Sequence, residues 1–162
     1  MKIGVLSDTH IATLALGDQL ARRLFSGCFA DVSAILHAGD LVHPELESCF
    51  YPCPWYAVRG NMDHLAEQTP VKRVLHLAGK RVGMVHGWGS PLQVEENVLG
   101  SFAEQMPDVL IFGHSHLPVC RMVDRTLLLN PGSPTDPRLA AGPSVGLLTL
   151  ADRVTAEIIR LD

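Results

Sequence analysis

The segment Lys2-Ile3-Gly4-Val5-Leu6-Ser7-Asp8-Thr9-His10 decides how this chain is read. Its apolar run, residues 3–6, has the length of a buried strand. It ends in two residues that can ligate a metal, Asp8 and His10. The same pattern recurs four times. Residues 33–38 lead into Gly39-Asp40, and residues 55–59 into Gly60-Asn61. Residues 81–85 lead into His86-Gly87, and residues 109–112 into Gly113-His114-Ser115-His116. One Asp or His after a strand is commonly a cap or a turn former. Five endings that supply only Asp, Asn and His point to a shared site. If the strands are parallel neighbours, their ends gather on one edge of the sheet, where open α/β sheets place ligands. Two carboxylates, one amide oxygen and four imidazoles would meet there, enough for two metal ions.

The segments between the runs complete the expected architecture. Leu14, Leu16, Leu20, Leu24 and Phe25 recur at helical spacing, which predicts a helix over 13–26. Pro44 can open a short helix through Phe50. Strand, helix, strand, helix, strand implies a parallel sheet with right-handed crossovers. Residues 62–70 read as a loop, 71–77 and 80–86 as a hairpin turning at Ala78-Gly79, 91–105 as a helix and 109–112 as a strand. Residues 119–123, 126–129, 145–150 and 155–161 read as short, mainly antiparallel strands. With no repeat or linker, the expectation is one α/β domain over 1–162: an α/β sandwich with two packed mixed sheets flanked by helices.

The 162 residues are 47% apolar and 19% charged, which suits a folded domain with a real core. A net charge of −4 without a Lys/Arg run argues against a long nucleic acid or a membrane surface as partner. No segment approaches a membrane span, and the start enters a strand at once, so a cytoplasmic protein is expected. Cys28, Cys49, Cys53 and Cys120 match no CxxC spacing and are expected as reduced, mostly buried thiols. In extended geometry residues i and i+2 face the same way, so Asp8 with His10, and His114 with His116, could each serve one ion.

At these residues the chain resembles the calcineurin-like metallophosphoesterases, whose blocks run DxH, GD, GN, H, GHxH. Here they stand as Asp8-Thr9-His10, Gly39-Asp40, Gly60-Asn61, His86 and Gly113-His114-Ser115-His116. The short length and Asn130-Pro131-Gly132-Ser133 resemble the family's small bacterial and archaeal phosphodiesterase branch. The resemblance implies a two-metal centre. Asp8, His10, Asp40 and His116 would hold one ion; Asp40, Asn61, His86 and His114 would hold the other, with Asp40 bridging. It implies hydrolysis of small phosphodiesters by a hydroxide bridging the metals, with Asp8, Asp40, Asn61 and His86 as catalytic residues. Manganese is the first candidate, and iron, nickel and zinc are alternatives.

Many relatives carry a proton-donating His after the GN asparagine; this chain has Met62. His43 could replace it as an acid or phosphate contact, or be an ordinary exposed histidine; His64 is a weaker candidate. Trp88, where several relatives have a second His, could stack on a base or aryl group or line the core. Arg59 and Arg138 are candidate phosphate contacts. His37 is a packed strand histidine or a partner that orients a ligand, and His76 has no assigned role. The alternative functions are a phosphomonoesterase and a non-catalytic scaffold similar to the metallophosphoesterase-like subunit of the retromer sorting complex. Relatives are often dimers, so a homo-oligomer is possible.

Overall fold

The computed structural model describes residues 1–161. The apolar runs form strands because their alternate side chains find two different apolar partners. On one face lies the opposite sheet; on the other lies a helix. The first half contains β1 (Lys2–Leu6), α1 (Leu14–Phe25), β2 (Ile35–His37), a 3-10 turn (Leu46–Phe50) and β3 (Trp55–Ala57). After the hairpin β4 (Lys72–Leu77) and β5 (Lys80–Val85) come α2 (Val94–Ser101) and β6 (Val109–Ile111). The chain closes with β7 (Val119–Val123), β8 (Thr126–Asn130), β9 (Ser144–Leu150) and β10 (Val154–Arg160).

These strands make two five-stranded mixed sheets, ordered β10-β9-β1-β2-β3 and β4-β5-β6-β8-β7. Strands β1, β2 and β3 are parallel, as are β5, β6 and β8. The central core lies between the sheets: Ile3, Val5 and Leu36 from one meet Val82, Met84, Val109 and Ile111 from the other. The opposite faces are covered separately. Leu20 and Leu24 of α1 pack with Leu6, Phe29, Ile35 and Phe50, and Val94 and Val98 of α2 pack with Val85, Leu110 and Phe112. Each fully buried side chain of this kind contributes about 1.5–3 kcal/mol. The layer order is therefore helix, sheet, sheet, helix. No helix among the described residues is long and apolar enough to cross a membrane.

Four expectations are corrected. The five strand ends do not lie on one sheet: three belong to the β1 sheet and two to the β5 sheet, and the sheets' packing brings the ends together. The helix expected over 91–105 is regular only over Val94–Ser101, ending one residue after the poor helix former Gly100. The segment after Pro44 forms a 3-10 turn, not an α-helix. The four thiols are free, but none is fully buried, and Cys120 is exposed.

Candidate metal centre

The loops that carry the ligands do not continue the strands. Asp8, His10, Asp40, His114 and His116 all have positive φ, at 52°, 45°, 59°, 69° and 59°. Non-glycine residues reach this region at a cost of about 1 kcal/mol or more each. The extended-chain expectation therefore fails for both pairs: Asp8 and His10 share a group through a turn, and His116 joins them while His114 lies with Asn61 and His86. Left-handed turns, rather than strand pleating, aim these side chains into one place.

Buried hydrogen bonds hold the turns. Ser133 Oγ donates to Asp8 O (2.7 Å) and Thr135 Oγ1 to Thr9 O (2.7 Å). Asn130 Nδ2 donates to Gly113 O and Ser115 Oγ, both at 3.1 Å. The segment that runs from the end of β8 through Thr135 thus ties the first ligand loop to the last. Asp63 does the same for the middle loops. Its carboxylate accepts the backbone N–H groups of Asp40 (2.9 Å), Val42 (2.8 Å) and Gly60 (2.7 Å). Asp63 is the site residue that sequence reasoning missed. An Asp three residues after a strand-ending Gly, inside a turn, was the available signal.

The side chains form two overlapping groups, Asp8-His10-His116 and Asp8-Asp40-His86. In the first, His116 Nε2 lies 3.3 Å from Asp8 Oδ1 and 3.2 Å from His10 Nε2. In the second, His86 Nε2 lies 3.3 Å from Asp40 Oδ2 and 3.2 Å from Asn61 Oδ1, and His114 Nδ1 is 3.0 Å from that same Asn61 oxygen. Asp40, expected to bridge, also approaches His10 Nε2 at 3.9 Å. Asp8 belongs to both groups, so two carboxylates, not one, lie between the two ends.

The remaining ring nitrogens fix what these contacts mean. His86 Nδ1–H donates to Ala38 O (2.8 Å), His114 Nε2–H to Gly89 O (3.0 Å) and His116 Nδ1–H to Asp136 O (2.5 Å). A carbonyl accepts only, so in each neutral ring the proton sits on that outer nitrogen. The inner nitrogen then presents a lone pair, and it faces carboxylate or amide oxygens, which are also acceptors. Lone pair against lone pair repels, and a divalent cation between them removes the repulsion. Backbone carbonyls that hold the far nitrogen are a usual support for metal-ligating histidines. The donor set therefore fits two divalent ions.

The charges agree. Burial pushes Asp40 towards protonation, but His86, the Met62 N–H and His10 more than offset it, leaving its pKa at about 2. Burial lowers His86, yet Asp40 and Asp8 outweigh burial and raise it, the response of an imidazole held among anions. Burial holds His10 below its usual value, with Asp40 and Asp8 opposing and His116 and Arg138 adding to the fall.

The outlying candidates separate. His43 lines a hollow with Asp63, Trp55 and Arg73, and its Nδ1 accepts the Glu45 N–H. It makes no contact with the ligand cluster among the described residues. Met62 is exposed, and its N–H donates to Asp40 Oδ1 (2.8 Å). His64 and His76 are exposed. Trp88 is 48% exposed, so it is no part of the core, and it shares a hollow with Arg59 and His86. His37 is fully buried and neutral: Gly39 N–H donates to Nδ1 (3.1 Å), and Nε2–H faces Thr9 Oγ1 (3.1 Å). It supports the turn into Asp40 and reaches no ligand directly.

Fold and site together define a metal-binding α/β sandwich whose histidine–carboxylate centre sits where the strand ends of two sheets meet. Residues 1–153 match the model of the calcineurin-like phosphoesterase superfamily domain. The chain belongs to that metal-dependent family. It is 43% identical to a probable metallophosphoesterase of Methanothermobacter thermautotrophicus, over 99% of this chain and 92% of that protein. It is 35% identical to the phosphodiesterase YfcE of Escherichia coli K12, over 57% of this chain and 50% of that protein. Among solved structures it is similar to Vps29 of Chaetomium thermophilum, with a TM-score of 0.76 at 22% identity, covering 98% of this chain and 93% of the other. That last likeness is one of fold.

Proposed function

We propose that this protein hydrolyses small phosphodiesters with two divalent metal ions, manganese being the first to test and iron, nickel and zinc the alternatives. The observation that carries the reading is the convergence of acceptor atoms: three imidazole nitrogens with their protons turned outward, two carboxylates and an amide oxygen. Bound divalent ions supply Lewis acidity towards phosphoryl oxygens and make water acidic enough to act as nucleophile near neutral pH.

The residues' own contributions follow from their positions. Asp40, with its pKa at about 2, stays ionised, and the Asp8 and Asp40 carboxylates lie between the two imidazole ends. The inner nitrogens of His86 and His114 converge with Asn61 Oδ1, three acceptors that would together hold one ion. Met62 holds Asp40 through its backbone and offers no proton to a departing alkoxide. That absence favours substrates whose leaving groups depart as anions. The phosphodiesterase name of a 35% identical relative supports a diester over a monoester. An intact ligand set supports an enzyme over a scaffold.

The test is turnover of an aryl phosphodiester and the matching aryl monophosphate by the full chain with added Mn²⁺, with and without a chelator. The proposal expects chelator-sensitive cleavage, faster for the diester. Faster monoester cleavage would make it a phosphomonoesterase. Metal binding without turnover of either would favour the scaffold reading.

A further inference from the structure

Two hollows border the candidate metal centre, and each meets it at a different ligand. One, of about 500 Å³, runs from His86 past Arg59 and Val71 to Trp88. The other, of about 410 Å³, begins at Thr9 and His10 and is floored by Leu16, Leu20 and Pro134. Each has the volume of a small-ligand pocket. His10 stands in the first ligand group and His86 in the second. A phosphoryl group held between the groups would therefore have a different hollow beside each of its two ester oxygens.

The hollows differ in chemistry. The first offers an indole, 48% exposed, whose backbone carbonyl is held by Asn97 Nδ2 at 2.9 Å. Arg59 lies in the same wall, and its guanidinium has no protein partner among the described residues. Lys72 is committed elsewhere, donating to Ser101 O and lying 3.9 Å over the Phe102 ring. An aromatic face with one uncommitted guanidinium suits a flat ring that carries acceptor oxygens. The second hollow presents the aliphatic side chains of Ile11, Leu16 and Leu20, with Leu16 51% exposed, and Gln19, Arg23 and Thr135 also line it.

We propose that the substrate is a phosphodiester with two unlike arms. A planar arm, aryl or nucleobase, lies on Trp88 beside Arg59; an aliphatic arm lies over Leu16. The proposal rests on the phosphodiesterase reading and deepens it. A monoester, with one arm, would leave one hollow unused.

The test uses two non-hydrolysable probes on the Mn²⁺-supplemented full chain: an aryl phosphonate, which has one arm, and the matching alkyl aryl phosphinate, which has two, both joined by P–C bonds. Calorimetry reads their Kd in wild type, Trp88→Ala and Leu16→Asn. Trp88→Ala should weaken both probes about tenfold or more. Leu16→Asn should weaken the two-armed probe about threefold or more and leave the one-armed probe unchanged. Melting curves and metal content should stay at wild-type values, since both side chains are half exposed. Equal binding across the three proteins, no binding of either probe, or an equal loss for both probes in Leu16→Asn would overturn the proposal. Trp88- and Leu16-dependent binding by a protein that cleaves no ester would uphold the two arms and overturn hydrolysis instead.

Discussion

Asp8 and Asp40 are the residues on which the centre turns. Each lies within 4 Å of imidazoles from both ends of the cluster: Asp8 near His116 and His86, Asp40 near His86 and His10. Among the described residues the Asn61 side chain pairs only with His86 and His114. Removing either carboxylate should therefore cost ligands at both ends. Asp8→Ala and Asp40→Ala are each expected to retain less metal than Asn61→Ala after gel filtration, read by elemental analysis. Wild-type occupancy in Asp40→Ala would rule out its bridging position. Met62 makes a kinetic prediction. With no proton donor at that position, the rate should fall steeply as leaving-group pKa rises, and Met62→His should help poor leaving groups more than activated aryl esters. A flat dependence in the native protein would reveal a working acid elsewhere.

The loops matter as elements because none is held by its own strand. Asp63 fastens the loops after β2 and β3 through three backbone N–H groups. Asp63→Asn would turn an amide N–H₂ towards at least one of those donors, leaving it unpaired at a cost of about 1–3 kcal/mol. The variant should melt earlier and bind metal more weakly, measured by thermal unfolding with and without Mn²⁺. An unchanged melt would show that these bonds are dispensable. Close approach imposes a second constraint. A Cβ on Gly113 would sit 1.8 Å from Ser7 Oγ and 2.6 Å from Asp8 Oδ2, so Gly113→Ala should push Asp8 aside and destabilise by roughly 1–3 kcal/mol. Gly100, in α2, has nothing within 4 Å of such a Cβ, and Gly100→Ala should stabilise by up to about 1 kcal/mol. Denaturant unfolding of the two variants should give opposite signs.

For the molecule as a whole, acid stability has a source that its metal ligands do not explain. Burial holds His37 at a pKa of about 3, with His86 and His10 adding to the fall and Asp40 opposing it. The unfolded chain titrates this imidazole near its ordinary 6.5. Below that pH the unfolded state binds the extra proton and the folded state does not. Stability is thus lost as pH falls from about 6.5 towards 3, by at most about 1.4 kcal/mol per pH unit. His37→Gln removes that proton site, so its stability should fall less over this window, read by urea unfolding at a series of pH values. A parallel pH dependence in the two proteins would exclude His37 as the cause.

What could be read from the sequence is what local chemistry writes into neighbouring residues. Apolar runs of strand length, the helical spacing of Leu20 and Leu24, and the side chains able to bind a metal are all local properties. Tertiary structure alone decided the rest. Membership of the strands in two sheets depends on pairings such as β8 with β6, between residues far apart in sequence. The turn of each ligand depends on Asp63 and Ser133, whose bonds reach other loops. The proton-bearing nitrogen of each histidine depends on the carbonyls of Ala38, Gly89 and Asp136, which no spacing announces. Residue type chose the donors, because oxygen and imidazole lone pairs can hold such ions. Distant backbone groups chose their direction, because a lone pair points inward only when something outside takes the proton.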